Sequence, residues 1–108
     1  MPLAPETLRV LGALADPTRV ALLGALAGRA SGVVALSREL PITRQGTAKH
    51  LAVLEAAGLV EPRRVGREAL FEVRTGPLQR AVEEMASAVS QWDGQLELLK
   101  EAAERPDG

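Results

Sequence analysis

Cysteine is absent from the 108 residues, which removes disulfides, thiolate metal sites and redox-active thiols at once. Histidine occurs once, at His50. A single imidazole without cysteine does not make a metal site, and it leaves few nucleophile or general-base constellations, so no metal, no cofactor and no catalytic activity are expected. Tyrosine is missing too, and there is one Phe and one Trp. A core that poor in aromatics but rich in Leu, Ala and Val favours helices packed on helices. No apolar run approaches the roughly 18 residues of a membrane span, and no basic segment precedes an apolar one at the N-terminus. A cytoplasmic location is therefore the expectation, with no membrane partner. The length suits one domain, residues 1–108.

Positive charge is also lacking overall: the formal net charge is -1, which speaks against nucleic acid until the chain is divided. Residues 1–40 hold four Arg against two Glu and one Asp, a net +1. Residues 41–76 hold five Arg and one Lys against four Glu, a net +2. Residues 77–108 hold two Arg and one Lys against five Glu and two Asp, a net -4. The acidity belongs to the tail, and one face of the remainder is free to meet an anionic partner.

Periodicity predicts a first helix from about Glu6 to Ala15, with Leu8, Leu11 and Leu14 in step. Asp16-Pro17 reads as an N-cap followed by a proline at the first helical position. The second helix then runs to Leu26 or Ala27, with Val20, Leu22, Leu23, Leu26 and Ala27 apolar and Gly28 as its stop. Val33 to Leu40 reads as a short third helix with Val33, Leu36 and Leu40 inward, ended by Pro41. Thr43 caps a fourth helix that reaches Ala57 and closes at Gly58. Leu59–Arg64 and Glu68–Val73 are strands around Val65-Gly66-Arg67. A last helix spans about Pro77 to Glu104, before a frayed tail, Arg105–Gly108.

On a wheel of about 100° per residue, the fourth helix puts Thr47, Leu51, Leu54 and Gly58 inward. Gln45, Ala48, Lys49, Ala52 and Ala56 lie outward. Polar side chains near the N-terminus followed by alanines suit a helix entering a major groove, where Arg44 matches guanine and Gln45 matches adenine in bidentate fashion. The same pattern also fits a plain exposed alanine-rich helix. Gly46 has two readings, close backbone approach to DNA or a tolerated small residue at a helix start. His50, at the edge of the core face, suits a phosphate contact or a structural hydrogen bond. Arg63, Arg64 and Arg67 around a glycine turn suit phosphates or the minor groove, or else form a solvated cluster paired with Glu61 or Glu68.

In the last helix, Leu78, Val82, Met85, Val89, Trp92, Leu96, Leu99 and Ala103 alternate spacings of four and three. That repeat of about 3.5 residues is the seam of a helix packing along another helix. So small a domain offers little to cover it. A second copy of the same helix, aided by the first helix through Leu8 and Leu11, is the favoured solution, and intramolecular packing the other.

These pieces, Ala13-Leu-Ala-Asp-Pro-Thr-Arg19, Leu36-Ser-Arg-Glu-Leu40, Thr43 to Val60 and Gly66-Arg-Glu68, resemble the ArsR-type winged helix-turn-helix repressors over about residues 8–75. The resemblance implies a mainly α fold with a small β-hairpin wing, in the order α-α-α-α-β-β-α, forming a dimer through its first and last helices. It implies a recognition helix at about 43–57, a wing at about 59–74 and a dimerisation helix at about 77–104. It also implies a homodimer that binds a palindromic operator in double-stranded DNA and represses transcription. The expected DNA-binding residues are Thr43, Arg44, Gln45, Gly46, Ala48, Lys49, His50, Arg63, Arg64 and Arg67. The tail, with Trp92 and Leu96-Glu-Leu-Leu-Lys100, is most similar to the metal-independent autorepressor branch. Metal-sensing members use Cys pairs before the recognition helix, or His, Asp and Glu clusters in the last helix; neither set is present here. Thr47-Ala48 and Gly32 also depart from the family pattern, which has Ser after a hydrophobic residue at the first place and a capping Ser or Thr at the second. The sequence names no small-molecule effector. The rival reading is a winged-helix protein-interaction module that does not bind DNA and docks through its acidic last helix.

Overall fold

The structure, a computed structural model, describes residues 3–104. The expected tail Arg105–Gly108 lies outside the described residues. Five helices and one hairpin follow in the expected order: α1 Pro5–Leu14, α2 Pro17–Leu26, α3 Val33–Glu39, α4 Arg44–Ala56, β1 Val60–Val65, β2 Glu68–Val73 and α5 Gly76–Glu104. The fold is a mainly helical winged helix-turn-helix.

Local chemistry accounts for most of the boundaries. Asp16 Oδ1 accepts from the backbone N–H of Thr18 (2.8 Å) and of Arg19 (3.2 Å), closing the start of α2. Thr43 Oγ1 accepts from the N–H of Gly46 at 3.0 Å and starts α4. Gly58 ends α4 with φ 77°, in the left-handed region that favours glycine. The hairpin pairs Val60 with Val73 through to Val65 with Glu68, which leaves a two-residue turn, Gly66-Arg67, rather than the expected three. Gly66 has φ 63° and Arg67 does not share it, the arrangement that suits the twist of paired strands. Gly28, by contrast, is not left-handed and sits in a plain turn after α2.

Val10, Leu22, Leu36, Leu51, Leu54 and Leu59 form the sealed centre of the core, joined by Phe71 and Ala81. Two apolar expectations turn outward. In α1 the buried residues are Thr7, Val10 and Ala13, so Leu8, 55% exposed, faces away from the protomer core. In α2, Leu22 and Leu26 are buried, whereas Val20 and Ala27 are exposed.

One link was not legible beforehand. Ser31 and Phe71 exchange both backbone hydrogen bonds, at 3.2 and 2.8 Å, and so tie the loop before α3 to the hairpin. A side chain on the neighbouring Gly32 would be crowded, since a Cβ there would meet Glu68 Oε1 at 3.1 Å and the Ala69 carbonyl at 3.3 Å. The start of β2 thus favours the small residue at the place of a capping Ser or Thr.

α5 lies along α1. Ala81 and Ala88 are buried, Thr7 Oγ1 donates to Glu84 Oε2 at 2.9 Å, and Arg80 pairs with Glu6 at 2.8 Å. The stripe Ala81–Glu84–Ala88 therefore carries the intramolecular contact, with Leu78 of the apolar seam packed against the core beside it, and most of that seam stays exposed. Every α5 residue from Gln91 to Glu104 is exposed, so the second half of the 29-residue helix projects beyond its own protomer.

Candidate nucleic-acid interface

α3, the short turn at Pro41-Ile42 and α4 form the helix-turn-helix. Thr47, Leu51 and Leu54 hold α4 to the core, so its opposite side is held outward. Arg44, Gln45, Ala48, Lys49, Ala52 and Ala56 are all exposed there. Val53, 41% exposed, stands on that side as well and was missed in the sequence reading. It lies four residues beyond Lys49 in the chain, one turn along the same face. An exposed apolar group on a helix face suits the methyl of thymine.

The first turn of α4 explains Gly46 without reference to DNA. A Cβ on Gly46 would sit 3.0 Å from Thr43 Oγ1, the oxygen that caps the helix. Thr47 Oγ1 in turn donates to the Thr43 carbonyl at 2.8 Å, which satisfies the buried hydroxyl. Thr43 is itself exposed, and its hydroxyl proton is left free because the cap uses only the oxygen.

His50 does not stand free at the surface. Its Nδ1 lies 3.3 Å from Nη1 of Arg19, a residue for which the sequence reading had no role. Arg19 also donates from Nε to the Ala13 carbonyl at 2.6 Å and from Nη2 to the Gly12 carbonyl at 3.2 Å. Asp16 Oδ2 lies 3.8 Å from its Nη1. The backbone N–H of Arg19 above all holds the Asp16 carboxyl below its ordinary value of 3.8; desolvation opposes it, and the backbone N–H of Thr18 and the Arg19 guanidinium reinforce it.

On the hairpin, Arg63 pairs with Glu72 at 3.1 Å, and Arg74 pairs with Glu61. These are not the partners expected from the sequence, because side chains two apart on facing strands share one face of the hairpin. Arg64 reaches the Arg67 carbonyl at 3.5 Å, at the limit of a hydrogen bond, and Arg67 sits in the turn. Among the described residues Arg64 and Arg67 make no ion pair, so of the three wing arginines these two offer an uncommitted charge.

Of the nine residues expected at a dimer interface, six are exposed. Val82, Val89, Trp92, Leu96 and Leu99 are 60, 52, 42, 63 and 67% exposed on one side of α5, and Leu8 is exposed on α1. Leu11, Leu78 and Met85 are half-buried, and Leu78 packs against the core. Among the described residues no group of three or more His, Asp or Glu side chains is placed to hold a metal ion, and no helix is long and apolar enough to cross a membrane.

Comparison with known proteins agrees with this geometry. A helix-turn-helix domain family matches residues 14–63. The HTH-type transcriptional regulator CmtR of Mycobacterium tuberculosis is 33% identical over 91 residues, covering 84% of this chain and 77% of that protein. A transcriptional repressor SmtB homolog of Synechocystis is 28% identical over 90 residues, covering 83% of this chain and 68% of that protein. The solved structure of an ArsR-like transcriptional regulator from Rhodococcus sp. RHA1 superposes with a TM-score of 0.82 at 35% identity, over 92% of this chain and 93% of that one.

Proposed function

As this chain belongs to the ArsR family of winged helix-turn-helix, DNA-binding transcriptional regulators, we propose that it acts as a cytoplasmic homodimeric repressor of its own or a neighbouring operon. The observation that carries the DNA half of this reading is the outward face of α4, where Arg44, Gln45 and Lys49 project beside Ala48 and Ala52 and the one acidic residue, Glu55, comes only near the C-terminal end. Arg44, Gln45 and Lys49 read base edges in the major groove, Ala48 lets the helix sit deep, and Gly46, next to them, leaves room for the Thr43 cap. Thr43, His50, Arg63, Arg64 and Arg67 hold phosphates, and the start of α4 adds its unpaired N–H groups.

The dimer half rests on the apolar face of α5. Five large apolar side chains on one projecting helix are more than a water-exposed helix sustains, and a second copy related by a twofold axis covers both seams at once. Such a dimer sets two recognition helices roughly 34 Å apart, on successive major grooves of a palindromic operator. Repression is supported by the SmtB homolog, which is named a transcriptional repressor. Sensing of metal through the family's Cys or His sites is not part of the reading, because the chain has no Cys and one His. Residues 1–108 act as one domain in this reading, with recognition helix 43–57, wing 59–74 and dimerisation helix 77–104.

Titration of duplex DNA binding against salt tests the proposal. Phosphate contacts make log affinity fall by about 0.9 per unit of log salt for each phosphate neutralised. A flat salt dependence, or no binding, would favour the protein-interaction module instead.

A further inference from the structure

His50 is the only histidine, and its ring lies against a guanidinium that is already fixed. Arg19, 16% exposed at its side chain, is held by the last carbonyls of α1, at Gly12 and Ala13, where the helix dipole is negative. Its remaining Nη1 points at His50 Nδ1. A guanidinium has five donors and no acceptor, so Nδ1 must supply a lone pair. The proton of the neutral ring is then on Nε2. No buried side-chain nitrogen among the described residues lacks a partner, and Arg19 is the partner seen at the ring, so Nε2–H opens to solvent.

We propose that Arg19 is a positioning residue for DNA binding, which engages His50 Nδ1 as an acceptor and so presents the ring's Nε2–H to a backbone phosphate. This rests on the DNA-binding reading above and specifies how one of its contacts works. The position fits the task. His50 lies at the boundary between the buried side of α4, marked by Thr47, Leu51 and Leu54, and its exposed side. The flank of a helix in a major groove faces the phosphate walls and the middle of the outer face meets the bases. A neutral donor is distinguishable from a cation at such a place. It strengthens binding through one hydrogen bond yet releases no counterion, so it leaves the salt slope unchanged. The same bond ties α4 to the end of α1, the helix that carries Leu8 and Leu11, so the orientation of the recognition helix is referred to the dimer face.

Because there is one histidine, its ring nitrogens are readable without assignment in a long-range proton–nitrogen spectrum of the 15N-labelled protein, free of DNA. The expected spectrum has an unprotonated Nδ1 and a protonated Nε2 at neutral pH, and Arg19→Met brings in the second tautomer. A proton on Nδ1 in the unaltered protein, or the same spectrum with and without Arg19, would overturn the proposal. If Arg19→Met does not fold, the spectrum of the unaltered protein still decides. A duplex of arbitrary sequence then probes the outer nitrogen. His50→Asn keeps an acceptor for Arg19 and deletes the outer donor, and should weaken binding about tenfold, or about 1.4 kcal/mol, with the salt slope unchanged. His50→Gln places an amide donor near Nε2 and should restore affinity. Unchanged affinity in His50→Asn would refute the phosphate contact, and a slope reduced by about 0.9 would show an imidazolium instead of a neutral ring. Should the unaltered protein show no salt-dependent binding at all, the DNA reading fails and the outward donor with it, while the spectrum still decides the Arg19–His50 bond.

Discussion

Placing a carboxylate at Trp92 should split the proposed dimer. Trp92 is 42% exposed in the protomer, and an aromatic side chain offers about 150–250 Å² for burial. Covering the exposed part therefore removes on the order of 100 Å² from water, which stabilises by about 2.5 kcal/mol at about 25 cal/mol per Å². A twofold axis repeats each contact, so the pair contributes about 5 kcal/mol. Trp92→Asp forfeits that amount and sets two carboxylates in an apolar seam, so the dimer dissociation constant should rise by at least about three orders of magnitude. Sedimentation velocity across a dilution series reads this directly. Ser90→Asp is the control: it lies on the side of α5 away from the seam and should leave the dimer intact. Trp92 lies outside the protomer core, so the residues from Pro5 to Ala88 should keep their helical circular dichroism. A Trp92→Asp dimer with an unchanged dissociation constant would refute the intermolecular seam. So would an unaltered protein that sediments as a monomer at every concentration.

Arg44→Ala and Gln45→Ala should each weaken operator binding by about 1–3 kcal/mol and relax base preference, as read by selection from a randomised duplex pool; unchanged affinity in both would remove them as base readers. Arg64→Ala and Arg67→Ala should each lower the salt slope by about 0.9. Arg63→Ala should change it less, because Arg63 is shared with Glu72, and Glu72→Gln should release that charge and tighten binding. A larger loss for Arg63 than for Arg67 would contradict this order. Asp16 titrates below its ordinary value of 3.8 in the folded chain, so its charge stabilises the fold above that value and the contribution disappears as pH falls through the folded pKa. Asn caps helices about as well as Asp, so Asp16→Asn isolates the charge. Urea unfolding should show the variant weaker near neutral pH, with the gap closing below about pH 4; a gap that widens on acidification would reverse the sign.

Much of the fold was legible because it depends on neighbours in the chain. Asp16 and Thr43 cap with their own side chains, Gly58 and Gly66 take up positive φ, and α4 sorts its faces by a period that needs no partner to be seen. The site was legible to the same extent. Exposure of Arg44, Gln45, Ala48 and Lys49 follows from the burial of Thr47 and Leu51 on the same helix. Val53 could have been found by extending the wheel one turn. Arg19 could not, since it meets His50 across 31 positions and nothing local marks a long side chain as a donor to another helix. The wing arginines were visible as a cluster, but which of them is paired depended on the strand register.

α5 draws the line between the two kinds of information. Its seam from Leu78 to Ala103 can be read from the chain, since an amphipathic repeat requires a covered face whatever covers it. Which stripe meets α1 was decided only when the chain folded back. The small side chains Ala81 and Ala88, with the Glu84 hydrogen bond to Thr7, let the two backbones approach closely, and that choice leaves Val82, Val89 and Trp92 outside. Sequence by itself determined the elements, their caps and the outward face of α4, because those are set within a few residues. Tertiary structure decided how Arg19, Phe71 and the two faces of α5 are used, because those contacts arise between segments far apart in the chain.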